Sequence, residues 1–195
     1  REDIGLTFAA ALRSILRQAP NIVMIGEIRD FETANIATEA SLTGHLVFST
    51  LHTNDAPSAI TRLLDIGIKP FLVASSVRAA MAQRLVRCHC KKCAEERAPT
   101  QIETNILSAS HEGGSDMKIM AGRGCNECAL TGYKGRKGIF EIFHISEDIQ
   151  RMIFEKLPAS ELRIRARESG MRTLREDGMR KVISGMTSLD EILRV

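Results

Sequence analysis

Ile22-Val23-Met24-Ile25-Gly26-Glu27 is the stretch on which the fold turns. Its four consecutive apolar residues are rich in β-branched side chains and end at a glycine. Such a run predicts a short strand buried on both faces. Leu46-Val47-Phe48 predicts a second buried strand. Between them Phe31 to Leu42 predicts a helix, with Asp30 as its N-cap and Gly44 just past its end. Upstream, Leu6 to Gln18 carries Leu12, Ile15 and Leu16 at helical spacing before Pro20. Downstream, Asp55 to Ile66 reads as a helix closed by Gly67, and Pro70 to Gln83 as a long helix of small and apolar residues. Strand–helix–strand–helix order with buried strands predicts an α/β sheet covered by helices.

The composition changes at Cys88. From there to about Arg136 the sequence holds all five cysteines, many glycines and little periodicity, and Ser108 to Ser115 reads as a loop. Gly138 to Ile145 resumes a strand pattern, and the last fifty or so residues read as helical. Thr173-x-x-Glu176 and Ser188-x-x-Glu191 both have capping-box form, and Gly185 ends the helix between them. The expected division is 1–87, 88–136 and 137–195.

Four of the cysteines form two Cys-x-x-Cys pairs, Cys90/Cys93 and Cys125/Cys128. Two such knuckles complete a tetrahedral site of four thiolates, which leaves no open position and makes a bound zinc structural. An iron–sulfur cluster would use the same ligands, and four reduced thiols in a small core is the plain alternative. Cys88 is the spare, and His89 is a second-choice ligand. An odd cysteine count points to a reducing compartment rather than a disulfide framework.

Composition excludes several function classes. Net charge is only +3, with the charge balance about even along the chain, and aromatics make up 4%, so neither a basic stripe nor a stacking platform for nucleic acid is visible. No apolar run approaches the roughly 18 residues needed to span a bilayer. The chain begins at Arg1, without a Met or a leader, and is read as a piece of something longer.

The chemistry-bearing residues sit at the ends of the two predicted strands. An apolar strand delivering Gly26-Glu27 to a sheet edge is the form in which nucleotide-driven motors place a water-polarising carboxylate. Taken alone, it is more often simply the form of a strand leaving the core. The second strand ends in Ser49-Thr50-Leu51-His52-Thr53-Asn54, a polar run at the edge where open α/β sheets bind ligands. His52 and the neighbouring hydroxyls are donors for phosphate oxygens, whereas His45, at the other end of that strand, reads as structural.

Several motifs in order resemble the secretion ATPase superfamily: Gly5-Leu6-Thr7-Phe8, Leu16-Arg17-Gln18, Gly26-Glu27-Ile28-Arg29-Asp30, Ser41-Leu42-Thr43-Gly44-His45, Ser49 to Asn54, and Ala82-Gln83-Arg84-Leu85. Thr173-Leu174-Arg175, Asp177-Gly178 and Thr187-Ser188-Leu189 extend the likeness to type II secretion and type IV pilus assembly ATPases over essentially the whole chain. The resemblance implies the C-terminal part of a RecA-like P-loop ATPase core, with a small tetracysteine zinc module and a C-terminal helical region. It implies ATP and Mg2+ as ligands of the parent, with Glu27 as the Walker B carboxylate and His52 near the γ-phosphate. Gly26, Arg29, Thr50 and Thr53 would then line the nucleotide site. It further implies a homohexamer peripheral to the inner membrane on the cytoplasmic side. Its partners would be a membrane platform protein and the secretion or pilus machinery, not nucleic acid. The tetracysteine module favours assembly or secretion over retraction.

Two departures stand out. The family's Asp-Pro-Asp before the Walker B strand reads Ala19-Pro20-Asn21. No Gly-x-x-x-x-Gly-Lys-Ser/Thr phosphate loop occurs, so the chain alone is expected not to turn over ATP and to bury its sheet incompletely. The contrasting reading is a zinc-ribbon interaction module without ATPase activity.

Overall fold

The computed structural model describes residues 7–108 and 118–195. The chain forms two compact units, Arg1–Met81 with Ile142–Met171, and Ala82–Glu141 with Arg172–Val195.

In the first unit α1 (Phe8–Leu16) begins where the Thr7 hydroxyl accepts from the Ala10 amide, and it buries Ala9 and Leu12. Strands β1 (Ile22–Ile25) and β2 (Leu46–Ser49) pair in parallel, with Ile22 opposite Leu46 and Ile25 opposite Ser49. Helix α2 (Phe31–Leu42) makes the crossover, capped as expected by Asp30, whose carboxylate accepts from the Thr33 amide. It gives way at Gly44, whose φ of 102° lies in the left-handed region that glycine adopts without strain.

The strands depart from expectation in one respect. They are covered on one face only: Val23 and Ile25 are buried, while Ile22 is 62% and Met24 78% exposed, and Leu46 and Phe48 are exposed beside them. Helix α2 packs on β2, and those four apolar side chains remain about half exposed or more. The incomplete burial expected of this sheet is therefore seen.

Asp55 does not begin the next helix but caps it: its Oδ1 accepts from the Ser58 amide and hydroxyl, and α3 (Ser58–Ile66) follows, ending at Gly67 with φ 108°. The helix expected from Pro70 to Gln83 is corrected. Helix α4 (Pro70–Ser76) stops where Val77 turns extended, and β3 (Ala79–His89) takes over. The small residues of this segment favour a helix by intrinsic propensity, but β3 pairs with β6 (Tyr133–His144) and buries Ala82 and Val86. Tertiary pairing outweighs a preference of about a few tenths of a kcal/mol per residue. Helices α6 (Glu147–Phe154) and α7 (Ala159–Glu168) complete the first unit and bury Ile149, Ile153, Leu162 and Ala166.

The second unit contains regular elements where the sequence shows little periodicity. Strands β4 (Ala94–Arg97) and β5 (Ile119–Gly122) form an antiparallel pair, and α5 (Gln101–Ser108) follows β4. The loop expected over 108–115 lies, from 109 onward, outside the described residues. Helices α8 (Leu174–Ile183) and α9 (Leu189–Arg194) close the unit. One apolar cluster joins these elements: Val86, Leu107, Ile119, Ile139, Met179, Val182, Leu189 and Ile192.

The first predicted capping box forms completely, with Glu176 reaching back to the Thr173 amide at 2.8 Å. The second forms by half. The Ser188 hydroxyl accepts from the Glu191 amide, but the Glu191 carboxylate turns inward to the Arg87 guanidinium at 2.6 Å and the Arg87 amide at 3.0 Å, with Arg194 also bonded. Its side chain is only 2% exposed. The bond from Arg87 outweighs burial, and with Arg194 and the Arg87 amide it holds the carboxyl at about 2, below the ordinary 4.5. A depressed carboxyl stabilises the fold above its unfolded value and loses that contribution as it protonates. The stability Glu191 lends should therefore be complete above pH 4.5 and disappear as pH falls towards about 2. Urea unfolding across this range should show Glu191→Gln with a shallower acid loss than wild type; identical slopes would contradict the assignment.

Candidate functional site

Parallel pairing sends the C-terminal ends of β1 and β2 to the same edge, and the chain clasps them together there. The Ile28 amide donates to the Thr50 carbonyl at 3.0 Å, and the Thr50 hydroxyl donates to the Gly26 carbonyl at 2.6 Å. This clasp sets Glu27 beside His52. His52 Nε2 donates to Glu27 Oε2 at 2.9 Å, and Arg29 Nη2 donates to Glu27 Oε1 at 2.6 Å. A Cβ at Gly26 would meet nothing within 4 Å, so open space lies against the backbone just before the carboxylate.

His52 is 79% and Glu27 35% exposed, which leaves the cluster reachable from solvent. The His52 hydrogen bond, followed by that of Arg29, lowers the Glu27 pKa from the ordinary 4.5. An ionised carboxylate with both oxygens held is oriented rather than strongly basic. It suits aligning a water more than removing its proton outright.

Of the residues singled out in the sequence, Gly26, Glu27, Arg29, Thr50 and His52 are brought together. The Thr53 hydroxyl is engaged within its own turn, donating to the Asp55 carbonyl at 3.1 Å. His45 lies apart from the cluster, its Nδ1 donating to the Ala40 carbonyl at 3.0 Å beyond the end of α2.

The four cysteines of the second unit converge, with all four sulfurs within 4.8 Å of one another. Cys90 and Cys125 are 3.8 Å apart, Cys93 and Cys128 3.8 Å, and Cys125 and Cys128 3.7 Å. A tetrahedron with metal–sulfur distances of about 2.3 Å has edges of about 3.8 Å, so the arrangement fits zinc. Backbone geometry builds the second knuckle. Cys125 opens a 3-10 turn over Asn126–Cys128, and Ala129 and Leu130 follow with positive φ.

The amides of Cys125 and Gly132 donate to Cys128 Sγ at 3.2 and 3.3 Å. Against burial, which raises it, these bonds bring the Cys128 thiol down to about 6, whereas burial pushes Cys93 up to about 12. Amide donors aimed at sulfur stabilise thiolate over thiol. Gly122 and Gly132 allow the backbones to meet behind the knuckle, since a Cβ on Gly122 would lie 2.3 Å from the Gly132 carbonyl oxygen.

These amide donors had no sequence signal beyond the glycines. Nor did the charge shell: Lys92 and Lys134 both pair with Glu127, at 2.9 and 2.6 Å. His89 is not one of the cluster; it is buried and stacked on Tyr133, with ring centroids 5.5 Å apart. Cys88 also stands outside the quartet.

The chain as a whole is similar to known proteins. Residues 1–194 match the family model of the type II/IV secretion system protein, and the chain belongs to that family. It is 52% identical over 192 residues to the type II secretion system protein HxcR of Pseudomonas aeruginosa, covering 98% of this chain and 37% of HxcR. It is 48% identical over 189 residues to the type IV pilus assembly ATPase PilB of Thermus thermophilus, covering 97% of this chain and 21% of PilB. The chain thus spans well under half the length of these relatives. The fold matches the pilus retraction motor PilT with bound ADP, at a TM-score of 0.66 and 24% identity over 97% of this chain and 43% of PilT. It also matches the ATPase DotB of Legionella pneumophila, at 0.64 and 22% over 97% of this chain and 42% of DotB. The fold is accordingly a RecA-like α/β fold carrying a tetracysteine module and C-terminal helices.

The cysteine geometry predicts a measurable coupling between metal and local structure, because ligand binding and folding are linked in small thiolate sites. Removal of zinc by a strong chelator should expose 88–136 to protease while the first unit stays resistant. Verified metal loss with an unchanged digestion pattern would contradict a structural metal.

Proposed function

We propose that this chain is part of an ATPase motor that hydrolyses ATP with Mg2+ to drive type IV pilus assembly or type II protein secretion. The observation that carries the proposal is the Glu27–His52 contact at 2.9 Å, set at the shared edge of two parallel strands. In this reading Glu27 orients the water that attacks the terminal phosphate. His52 fixes the carboxylate and lies where the lost phosphoryl charge develops. Arg29 holds the other carboxylate oxygen, and Thr50 keeps the two strand ends in register. Mg2+, when bound, supplies charge neutralisation of the phosphate oxygens. Thr53 enters only if its turn opens. The triphosphate itself is held by a phosphate loop elsewhere in the parent protein.

The uncovered apolar face of β1 and β2 supports the same reading, since a sheet of this kind is ordinarily covered on both sides. Zinc held by Cys90, Cys93, Cys125 and Cys128 is structural in this scheme and takes no part in hydrolysis. The motor acts as a homohexamer at the inner membrane, working on a membrane platform protein. Names of relatives in both the assembly and secretion groups support the pair of outcomes without dividing them.

The parent protein should turn over ATP in the presence of Mg2+, and this chain alone should not. His52→Ala in the parent should lower kcat by roughly a hundredfold, in the range typical of a group that aligns charge in the transition state. On account of Glu27, turnover should persist below pH 4.5, and Arg29→Ala should move that acid limb upward, because a hydrogen bond that keeps the carboxylate ionised is lost. ATP turnover by the isolated chain would overturn the expectation that it is inactive alone, and an unaltered His52→Ala parent would overturn the role given to His52.

A further inference from the structure

The loop that carries His52 is anchored from a distant point of the chain. Asp55 Oδ2 accepts from Arg163 Nη2 at 2.6 Å, across 108 residues of sequence and from helix α7. The other oxygen, Oδ1, accepts from the amide and hydroxyl of Ser58 at 2.9 and 2.7 Å and so starts α3. On the loop side, the Asp55 carbonyl accepts from the Thr53 hydroxyl at 3.1 Å, and the Thr53 amide donates to the Leu51 carbonyl at 3.1 Å. One residue therefore ties together three things: the turn that holds His52, the start of α3, and the surface of α7. The Asp55 side chain is 23% and that of Arg163 37% exposed, so the pair is partly screened by protein. A half-buried guanidinium–carboxylate bond is stronger and more directional than a surface pair.

The imidazole itself has no comparable restraint. His52 is largely exposed, and Glu27 is the single hydrogen-bond partner of its ring among the described residues. Its position relative to Glu27 is thus set by where the 50–55 backbone lies. That backbone is fixed at one end by the Thr50–Gly26 clasp and at the other by Asp55.

We infer that Arg163 is a positioning residue for the hydrolytic site, acting through Asp55 to hold the His52 loop against Glu27. Through this bond the placement of the His52 loop is coupled to that of α7. The inference rests on the hydrolytic reading of Glu27 and His52. The inference gives Arg163 no part in holding nucleotide, so its loss is expected to act on the chemical step and to leave nucleotide binding nearly unchanged.

The test is made in the full-length parent with Arg163→Ala, Arg163→Lys, Asp55→Asn and the Arg163→Ala/Asp55→Asn double variant. His52→Ala serves as reference, and thermal unfolding checks that each variant is folded. Asn at 55 still caps α3 but no longer pairs with a guanidinium. Arg163→Ala and Asp55→Asn should each lower kcat roughly tenfold, the scale of a small misplacement of a catalytic group, with KM for ATP altered less than about twofold. The double variant should lose no more than either single one, as expected for two residues acting as a unit. Arg163→Lys should recover most of the rate. Hydrogen exchange of the 51–55 amides should rise in Arg163→Ala but not in Arg163→Lys.

If His52→Ala collapses turnover while Arg163→Ala keeps wild-type kcat and exchange, the inference is wrong and the hydrolytic reading survives. If His52→Ala leaves turnover intact, the hydrolytic reading fails and the inference falls with it. Additive losses in the double variant would show Arg163 acting by some other route and would also overturn it.

Discussion

The parallel pairing of β1 with β2 is the constraint from which the rest of the first unit follows. A parallel pair cannot be joined by a tight turn, so the chain must cross over through a helix, and α2 is that crossover. The same pairing brings both strand ends to one edge, where Gly26-Glu27 and Thr50-Leu51-His52 emerge side by side. Slipping the register by one residue would turn Val23 and Ile25 out of the core and separate Glu27 from His52. Packing and chemistry thus depend on a single alignment, Ile25 opposite Ser49.

Much of this was legible in the sequence because the signals are local. Apolar runs ending in Gly26-Glu27 and in Ser49-Thr50 mark the strand ends, Asp30 and Thr173 mark helix starts, and two Cys-x-x-Cys pairs mark the metal knuckles. What was not legible depends on partners far away in the chain. The segment from Val77 to Gln83 has helix-forming composition and becomes extended because β6 is available to pair with it. Glu191 looks like half of a local capping box and instead answers Arg87, 104 residues distant. Ile22 and Met24 look fully buried because the sequence pattern records apolarity and not the presence of a covering layer. The Asp55–Arg163 bond has no sequence signature at all.

The second unit solves a different problem with little apolar material around its knuckles. Four sulfurs within 4.8 Å would repel one another as thiolates, and a dication held at their centre would reduce that cost. Amide donors from Cys125 and Gly132 to Cys128 Sγ, and the net positive Lys92–Glu127–Lys134 shell, further favour the thiolate form. Gly122 and Gly132 let the two backbones approach closely behind the knuckle. The apolar cluster of Val86, Ile119, Met179 and Ile192 then carries the remaining burial of that unit. The carboxylate–imidazole cluster of the first unit and the cysteine quartet of the second are thus built by separate means.

The central claim is that Glu27 promotes hydrolysis and is not required to hold nucleotide. The measurement that bears on it most directly is ATP binding and ATP turnover by the full-length parent, wild type beside Glu27→Gln, in one preparation with Mg2+. The account predicts that Glu27→Gln keeps ATP affinity close to wild type while turnover collapses. Equal turnover in the two proteins would contradict it and would favour a zinc-stapled interaction module in which the carboxylate is merely the end of a strand.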